Sequence, residues 1–288
     1  MKKYAAVIIG IFFLVALSYA SAQWELLHGE LVLKTDGIYT HVYSYTHRET
    51  GKEVVLIGTI HNAEKVYFEH LQKILDSCEY VIFETRDQAS ELELTRREAE
   101  SRKNLFGSSI DSAFWYALLH YPSRISLGSL GLIHESVAFD YAKLTWVVGD
   151  ALWYAEQEHT KWQLFYEKYA VFMAVVPLEI KQEVVTAVRT FVRKVDLGTA
   201  TKPDVINLLI VPPFGTHDRD LTPLALDLLG RERDEATLRS LDQILRSKNP
   251  ERVCIKFGAG HMLHQRKLLE QRDYLLKHIW EYRAITLP

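Results

Sequence analysis

A mixed α/β fold, with a central and mainly parallel sheet and a large helical insertion, is what this sequence predicts. Three observations carry that reading. Glu53–Gly58, Tyr80–Glu84 and Arg252–Gly258 are short β-runs, and the first is continuously apolar after Glu53, as a strand covered on both faces should be. A helical pattern lies between the first two runs, which sets up a right-handed parallel β-α-β unit. The segment from about residue 89 to about residue 199 then carries helical periodicity with few strand candidates.

Taken in order, residues 1–22 read as a signal peptide. Lys2 and Lys3 are its positive start, Ala5–Leu17 its apolar stretch, and Ala20-Ser21-Ala22 the small-x-small cleavage pattern. The apolar stretch falls short of the ~20 residues that a membrane span needs. The rest, 23–288, is expected to form a single domain, exported to the periplasm or the cell exterior. Tyr169–Leu178 is likewise too short to cross a bilayer, so the mature chain is expected to have no membrane span. Leu31–Lys34 and Ile38–Tyr45 are rich in β-branched and aromatic residues and are broken by Asp36-Gly37; Glu49-Thr50-Gly51 turns into the Glu53 run. Val66–Leu75 has helical spacing. Within 89–199 the aromatics Trp115, Trp146, Trp153, Trp162, Phe165 and Tyr166 read as helix core. The polar segment 196–204 is a linker, Pro212–Gly215 a loop, Asp220–Leu229 the start of a helix, and Leu263–Glu270 a final helix.

The 288 residues are 48% hydrophobic and 25% charged, which excludes disorder, collagen-like repeats and a disulfide-rich miniprotein. A net charge of −3, or −5 once Lys2 and Lys3 are removed, leaves no basic footprint and predicts no nucleic-acid partner. Cys78 and Cys254 are the only cysteines, each at the start of or within a predicted strand. They either pair or remain as two buried thiols.

Each of the three strands runs into a residue able to bind metal or move a proton. Glu53–Gly58 leads to His61, Tyr80–Phe83 to Glu84, and Arg252–Phe257 to Gly258-Ala259-Gly260-His261. In a parallel sheet these residues meet beyond the carboxyl ends of the strands, where α/β proteins bind ligands. Two imidazoles and a carboxylate match a catalytic metal site with open positions for water. Gly58 and Gly260 are expected to let the chain turn sharply or approach a ligand. Singly, a histidine after a strand is a capping or loop residue and a strand-end glutamate is solvated or salt-bridged; the shared Gly-x-x-His register at 58–61 and 258–261 argues for a joint role. Other signatures are missing: there is no Gly-x-Ser-x-Gly elbow, no phosphate-binding loop and no dinucleotide fingerprint, and His134-Glu135 lacks the second histidine of a zincin helix.

Gly58-Thr59-Ile60-His61, Phe83-Glu84, Asp218-Arg219-Asp220 and Phe257-Gly258-Ala259-Gly260-His261-Met262 together resemble the TraB/PrgY/GumN family, relatives of the TIKI metalloproteases. The order of strands, helices and motifs is similar as well. The resemblance implies a fold shared with the EreA and ChaN groups and a site made of the two histidines, a glutamate and an arginine, here His61, His261, Glu84 and Arg219. It also implies divalent-metal-dependent hydrolysis of peptide bonds, or the clearing of peptide signals.

On that basis His61 and His261 are the expected metal ligands. Glu84 is either a third ligand or the base for a metal-bound water. Arg219 holds an oxyanion or substrate carboxylate with its planar fork, or is tied up in a salt bridge to Asp218, Asp220 or Glu84. The position three residues after the second motif's histidine, often glycine in the family, is His264. On a helix it shares a face with His261 and either adds a ligand or blocks the site. Zinc, manganese, cobalt or iron would suit such donors. The expected function is an exported metal-dependent hydrolase acting on a peptide or small amide. The alternatives are a non-catalytic envelope protein that sequesters a peptide or small molecule in the same cleft, and a scaffold that uses the aromatic helical segment.

Overall fold

The computed structural model describes residues 31–84, 91–117, 127–143, 145–149, 170–210 and 230–288. The expected signal peptide, Arg219 with its flanking aspartates, the Pro212–Gly215 loop, the 220–229 helix, and Trp153, Trp162, Phe165 and Tyr166 lie outside the described residues.

The chain opens with β1 (Leu31–Lys34), β2 (Gly37–His47) and β3 (Glu53–Thr59), then a short β4 (Asn62–Glu64), α1 (Lys65–Asp76) and β5 (Tyr80–Phe83). Next come α2 (Glu91–Gly107), α3 (Ile110–Trp115), β6 (Leu132–His134), α4 (Glu135–Ala138) and β7 (Trp146–Val148). The described chain closes with α5 (Leu178–Asp196), α6 (Lys202–Ile210), α7 (Arg231–Lys248), β8 (Arg252–Gly258), α8 (Met262–Glu270) and β9 (Tyr274–Thr286).

The main sheet runs β1-β2-β3-β8-β5-β7, with β9 on the other edge of β2. It is mixed: β3, β8, β5 and β7 are parallel, whereas β1, β2 and β9 join antiparallel. Successive strand residues face opposite sides of the sheet. Val55 and Ile57 of β3 therefore enter one core with Tyr67, Phe68, Leu71 and Leu75 of α1. Val54 and Leu56, with Val253, Ile255 and Phe257 of β8, enter a second core with Leu238 and Leu241 of α7 and Met262 of α8. Apolar residues on both faces are why β3 reads as an unbroken run after Glu53 and β8 as one broken only by Lys256.

Four expectations are adjusted. β3 and β5 are parallel as expected, but β8, 168 residues after Glu84, lies between them. The segment 89–199 holds helices and also β6 and β7, and Trp146 is on β7 in the main sheet rather than on a helix. Strands of three residues are too short for their alternation to stand out from the surrounding helical spacing. The linker after α5 is shorter than 196–204, since α6 begins at Lys202. β9 was not expected at all. Lys277, His278, Glu281 and Arg283 interrupt its apolar residues, and its middle is exposed on both faces, so no alternation marks it. No described helix is long and apolar enough to cross a membrane.

Cys78, in the turn before β5, and Cys254, inside β8, form a disulfide with Cα atoms 5.7 Å apart. It spans 176 residues of sequence. Closing so long a loop restricts the unfolded chain strongly, so replacing both cysteines by serine should lower unfolding stability by about 2–5 kcal/mol in urea titrations. A variant as stable as the wild type would show that β5 and β8 need no covalent tie.

Candidate functional site

The parallel register sets the carboxyl ends of β3, β8 and β5 side by side: Thr59 pairs with Gly258, and Phe83 with Lys256. The residues that follow, His61, Glu84 and the turn Ala259–His261, therefore emerge at one edge, where the sequence places them. Gly58 is needed for packing rather than turning, because a Cβ there would lie 2.9 Å from Met262 Cγ of α8. Gly260 has open space around it and no left-handed backbone, so it is not required for a sharp turn or a close approach. The residue that does approach a functional group is Gly258, whose N–H donates to Glu84 Oε2 at 2.9 Å.

Glu84 and His261 form one half of the site. Arg233, in the first turn of α7, donates from Nη2 to Glu84 Oε1 at 2.5 Å and lies with Nη1 3.2 Å from His261 Nε2. Glu84 Oε1 and His261 Nε2 are 3.7 Å apart. The next residue, Asp234, is buried and receives three side chains from the 261–265 segment: His261 Nδ1 at 2.7 Å, His264 Nδ1 at 2.9 Å and Gln265 Nε2 at 2.9 Å. His264 thus does share a face with His261, and Asp234 binds both. Burial alone would raise the Glu84 carboxyl, but Arg233, then the two histidines, bring it down to about 2. For His261, burial and Arg233 act downward, and Asp234 and Glu84 more than offset them, leaving the imidazole raised.

The second half is built by the small β4–β6 ladder, which pairs Asn62 with His134. It brings Glu135, at the start of α4, against His61: the Glu135 N–H donates to the His61 carbonyl at 2.8 Å, and His61 Nδ1 is 2.6 Å from Glu135 Oε1. The His61 ring lies nearly parallel to that of His134, with centroids 6.2 Å apart, and its side chain is 37% exposed. Below it, Lys256 reaches Glu135 Oε2 at 2.7 Å and donates to the Tyr141 hydroxyl at 3.1 Å, with the Phe139 ring 5.0 Å away. Thr59 Oγ1 donates to the same glutamate oxygen at 3.2 Å. Desolvation would raise Glu135, but Lys256 and His61 hold it well below the usual carboxylate range. Burial would lower Lys256 and His61, and Glu135 raises both.

An ionised carboxylate only accepts hydrogen bonds, so both imidazoles must carry a proton on Nδ1. When neutral, each presents Nε2 as a lone pair. Among the described residues no three His, Cys, Asp or Glu side chains converge closely enough to hold a metal as they stand. Glu84 and His261 come together with Arg233 across them, and His61 stands apart with Glu135.

Glu135, Lys256, Arg233 and Asp234 are site residues that sequence reasoning missed. His134-Glu135 lacks the second histidine of a zincin helix, and Arg231-Glu232-Arg233-Asp234 has the composition of a solvated helix start, so neither pattern by itself points to the site. Compared with known proteins, the chain matches no family model, no curated protein and no solved structure.

Two outcomes follow from these ion pairs. Glu84 has a depressed carboxyl, so its share of stability is present above its ordinary value of 4.5 and is lost as pH falls towards about 2. In urea unfolding at a series of pH values, the wild type should lose roughly 3 kcal/mol more across that window than Glu84→Gln does. Parallel curves would mean that Glu84 gains nothing from Arg233. Lys256→Met should cost about 3–5 kcal/mol by stranding Glu135, with much of it recovered in Lys256→Met/Glu135→Gln. Additive losses in the double variant would rule out this pairing.

Proposed function

We propose that this chain is an exported, metal-dependent hydrolase that cleaves a peptide or small amide, with an EreA/ChaN-like fold and the site plan of the TraB/PrgY/GumN proteins it resembles. One observation carries the reading. Two imidazoles at the carboxyl edge of a parallel sheet each have Nδ1 held by a carboxylate, the partly buried Glu135 for His61 and the buried Asp234 for His261. Metal-binding histidines are oriented in just this way, with the outer carboxylate fixing the tautomer and strengthening the Nε2 donor. Glu84 supplies a carboxylate beside His261, and a His/His/Glu set suited to zinc, manganese or cobalt would require His61 to close on that pair. A disulfide suits export, since such bonds persist in oxidising compartments.

A divalent ion in that set would make a bound water nucleophilic near neutral pH. The chain's own residues then divide the remaining work. Asp234 keeps His261 aligned and Lys256 keeps Glu135 ionised beneath His61. His61, the more exposed imidazole, would offer Nε2 to the ion from the open side of the site, with Glu135 holding its Nδ1 proton. Arg233 is the described arginine beside Glu84, and its fork suits a substrate oxyanion or carboxylate; Arg219 lies outside the described residues. His264 is held by Asp234 beside His261, which favours an orienting role over blocking.

A second reading is favoured by Arg233 itself. Its guanidinium already neutralises Glu84 and caps His261 Nε2, as in a metal-free cleft that binds a peptide or small ligand without turnover.

Metal content and thermal unfolding of the chain from Gln23 onward separate the two. Stoichiometric zinc, manganese or cobalt is expected, with about 2.7 kcal/mol of stabilisation at a hundredfold excess over the dissociation constant. Both should vanish in His61→Ala/His261→Ala. No bound metal and no thermal shift with any of the three ions would sink the hydrolase and leave the binder.

A further inference from the structure

Resting on the metal reading above, we infer that Arg233 is a resident placeholder for the metal: its guanidinium occupies the Glu84–His261 donor pair and must leave before a divalent cation can enter. Two donors about 2.0–2.1 Å from one tetrahedral ion stand roughly 3.3 Å from each other. Glu84 Oε1 and His261 Nε2 are 3.7 Å apart, only a small contraction away. Arg233 touches both atoms at once, Oε1 through Nη2 at 2.5 Å and Nε2 through Nη1 at 3.2 Å. Donation to Nε2 uses the same lone pair that a metal would take, on the same Nδ1-protonated tautomer that Asp234 selects. The arginine thus keeps the donor pair in its ligating form while filling its place.

The exchange is mutually exclusive for electrostatic reasons. The side chains of Arg233, Glu84 and His261 are 18%, 17% and 13% exposed, so little water screens them. A guanidinium and a divalent ion on the same two atoms would repel at short range in a low-dielectric pocket. The other oxygen of Glu84 is anchored by the Gly258 N–H and stays in place whichever cation is present. Lysine is a poor substitute here, because a single ammonium lacks the fork that spans two acceptors.

The test is direct metal binding, without any turnover. Zinc and manganese affinities would be measured by competition with a chromophoric chelator at pH 8, for the wild type, Arg233→Gln, Arg233→Ala and Arg233→Lys. Circular dichroism would establish that each is folded, and the glutamine variant retains bulk and hydrogen bonding should alanine fail to fold. Removing the guanidinium should tighten metal binding at least tenfold, with lysine intermediate. Metal-free Arg233→Gln should also melt lower than the wild type and recover when metal is added. Binding by the variants with none by the wild type would overturn the placeholder, because the arginine would then be a permanent occupant and the wild-type cleft would hold no metal. Wild-type binding that is equalled or weakened in folded variants would overturn the placeholder and leave the metal site standing. No metal on any of the four folded proteins would overturn both.

Discussion

Each carboxylate drawn out of water at the carboxyl edge of the sheet has to be met by a cation or by hydrogen-bond donors, and the rest of the site follows from that demand. A carboxylate removed from water without a partner is costly. Glu84 is met by Arg233, Glu135 by Lys256 and His61, and Asp234 by the imidazoles of His261 and His264. These partners come from α7, β8, the turn Ala259–His261, α8 and the segment around the small ladder. The ion pairs therefore pin elements from distant parts of the chain to a single edge. The same pairs set the chemistry, because a fully ionised carboxylate fixes which nitrogen of its histidine carries the proton.

The strand order explains how three motifs so far apart in sequence come together. β8 lies between β3 and β5, so its carboxyl end is flanked on one side by the strand leading to His61 and on the other by the strand leading to Glu84. Lys256 points to one face of β8, towards Glu135 and Tyr141, while Phe257 packs on the other. After Gly258 the chain turns and delivers His261 above the sheet. One strand thus supplies the floor of one half of the site and the entry to the other.

Much of the parallel core was legible because both faces of β3 and β8 are buried, and burial on two faces writes an apolar run, unbroken after Glu53 in β3 and broken only by Lys256 within β8. The placement of His61, Glu84 and His261 at one edge was legible for the same reason. What escaped was the partners. Glu135 reaches His61 only through the three-residue pairing of β4 with β6, which no local pattern announces. Arg233 and Asp234 sit in a charged helix start of a kind that is usually solvated, and only packing of α7 against β5 and α8 turns them inward. Lys256 interrupts an apolar strand, and that interruption was itself a signal: a lysine in the middle of a buried run needs a buried anion. β9 was hidden because an edge strand exposed on both faces has no reason to alternate.

The Cys78–Cys254 bridge also has a consequence for alignment. Val81 is registered opposite Cys254, and Phe83, next to Glu84, opposite Lys256. Short parallel strands can slide, and a shift of a single residue, about 3.3 Å, would turn every side chain to the opposite face. With Cys78 bound to β8 just before β5 begins, that sliding is blocked at its origin. The bridge is thus a ruler laid along two strands: set at the amino end, it determines where Glu84 arrives at the other.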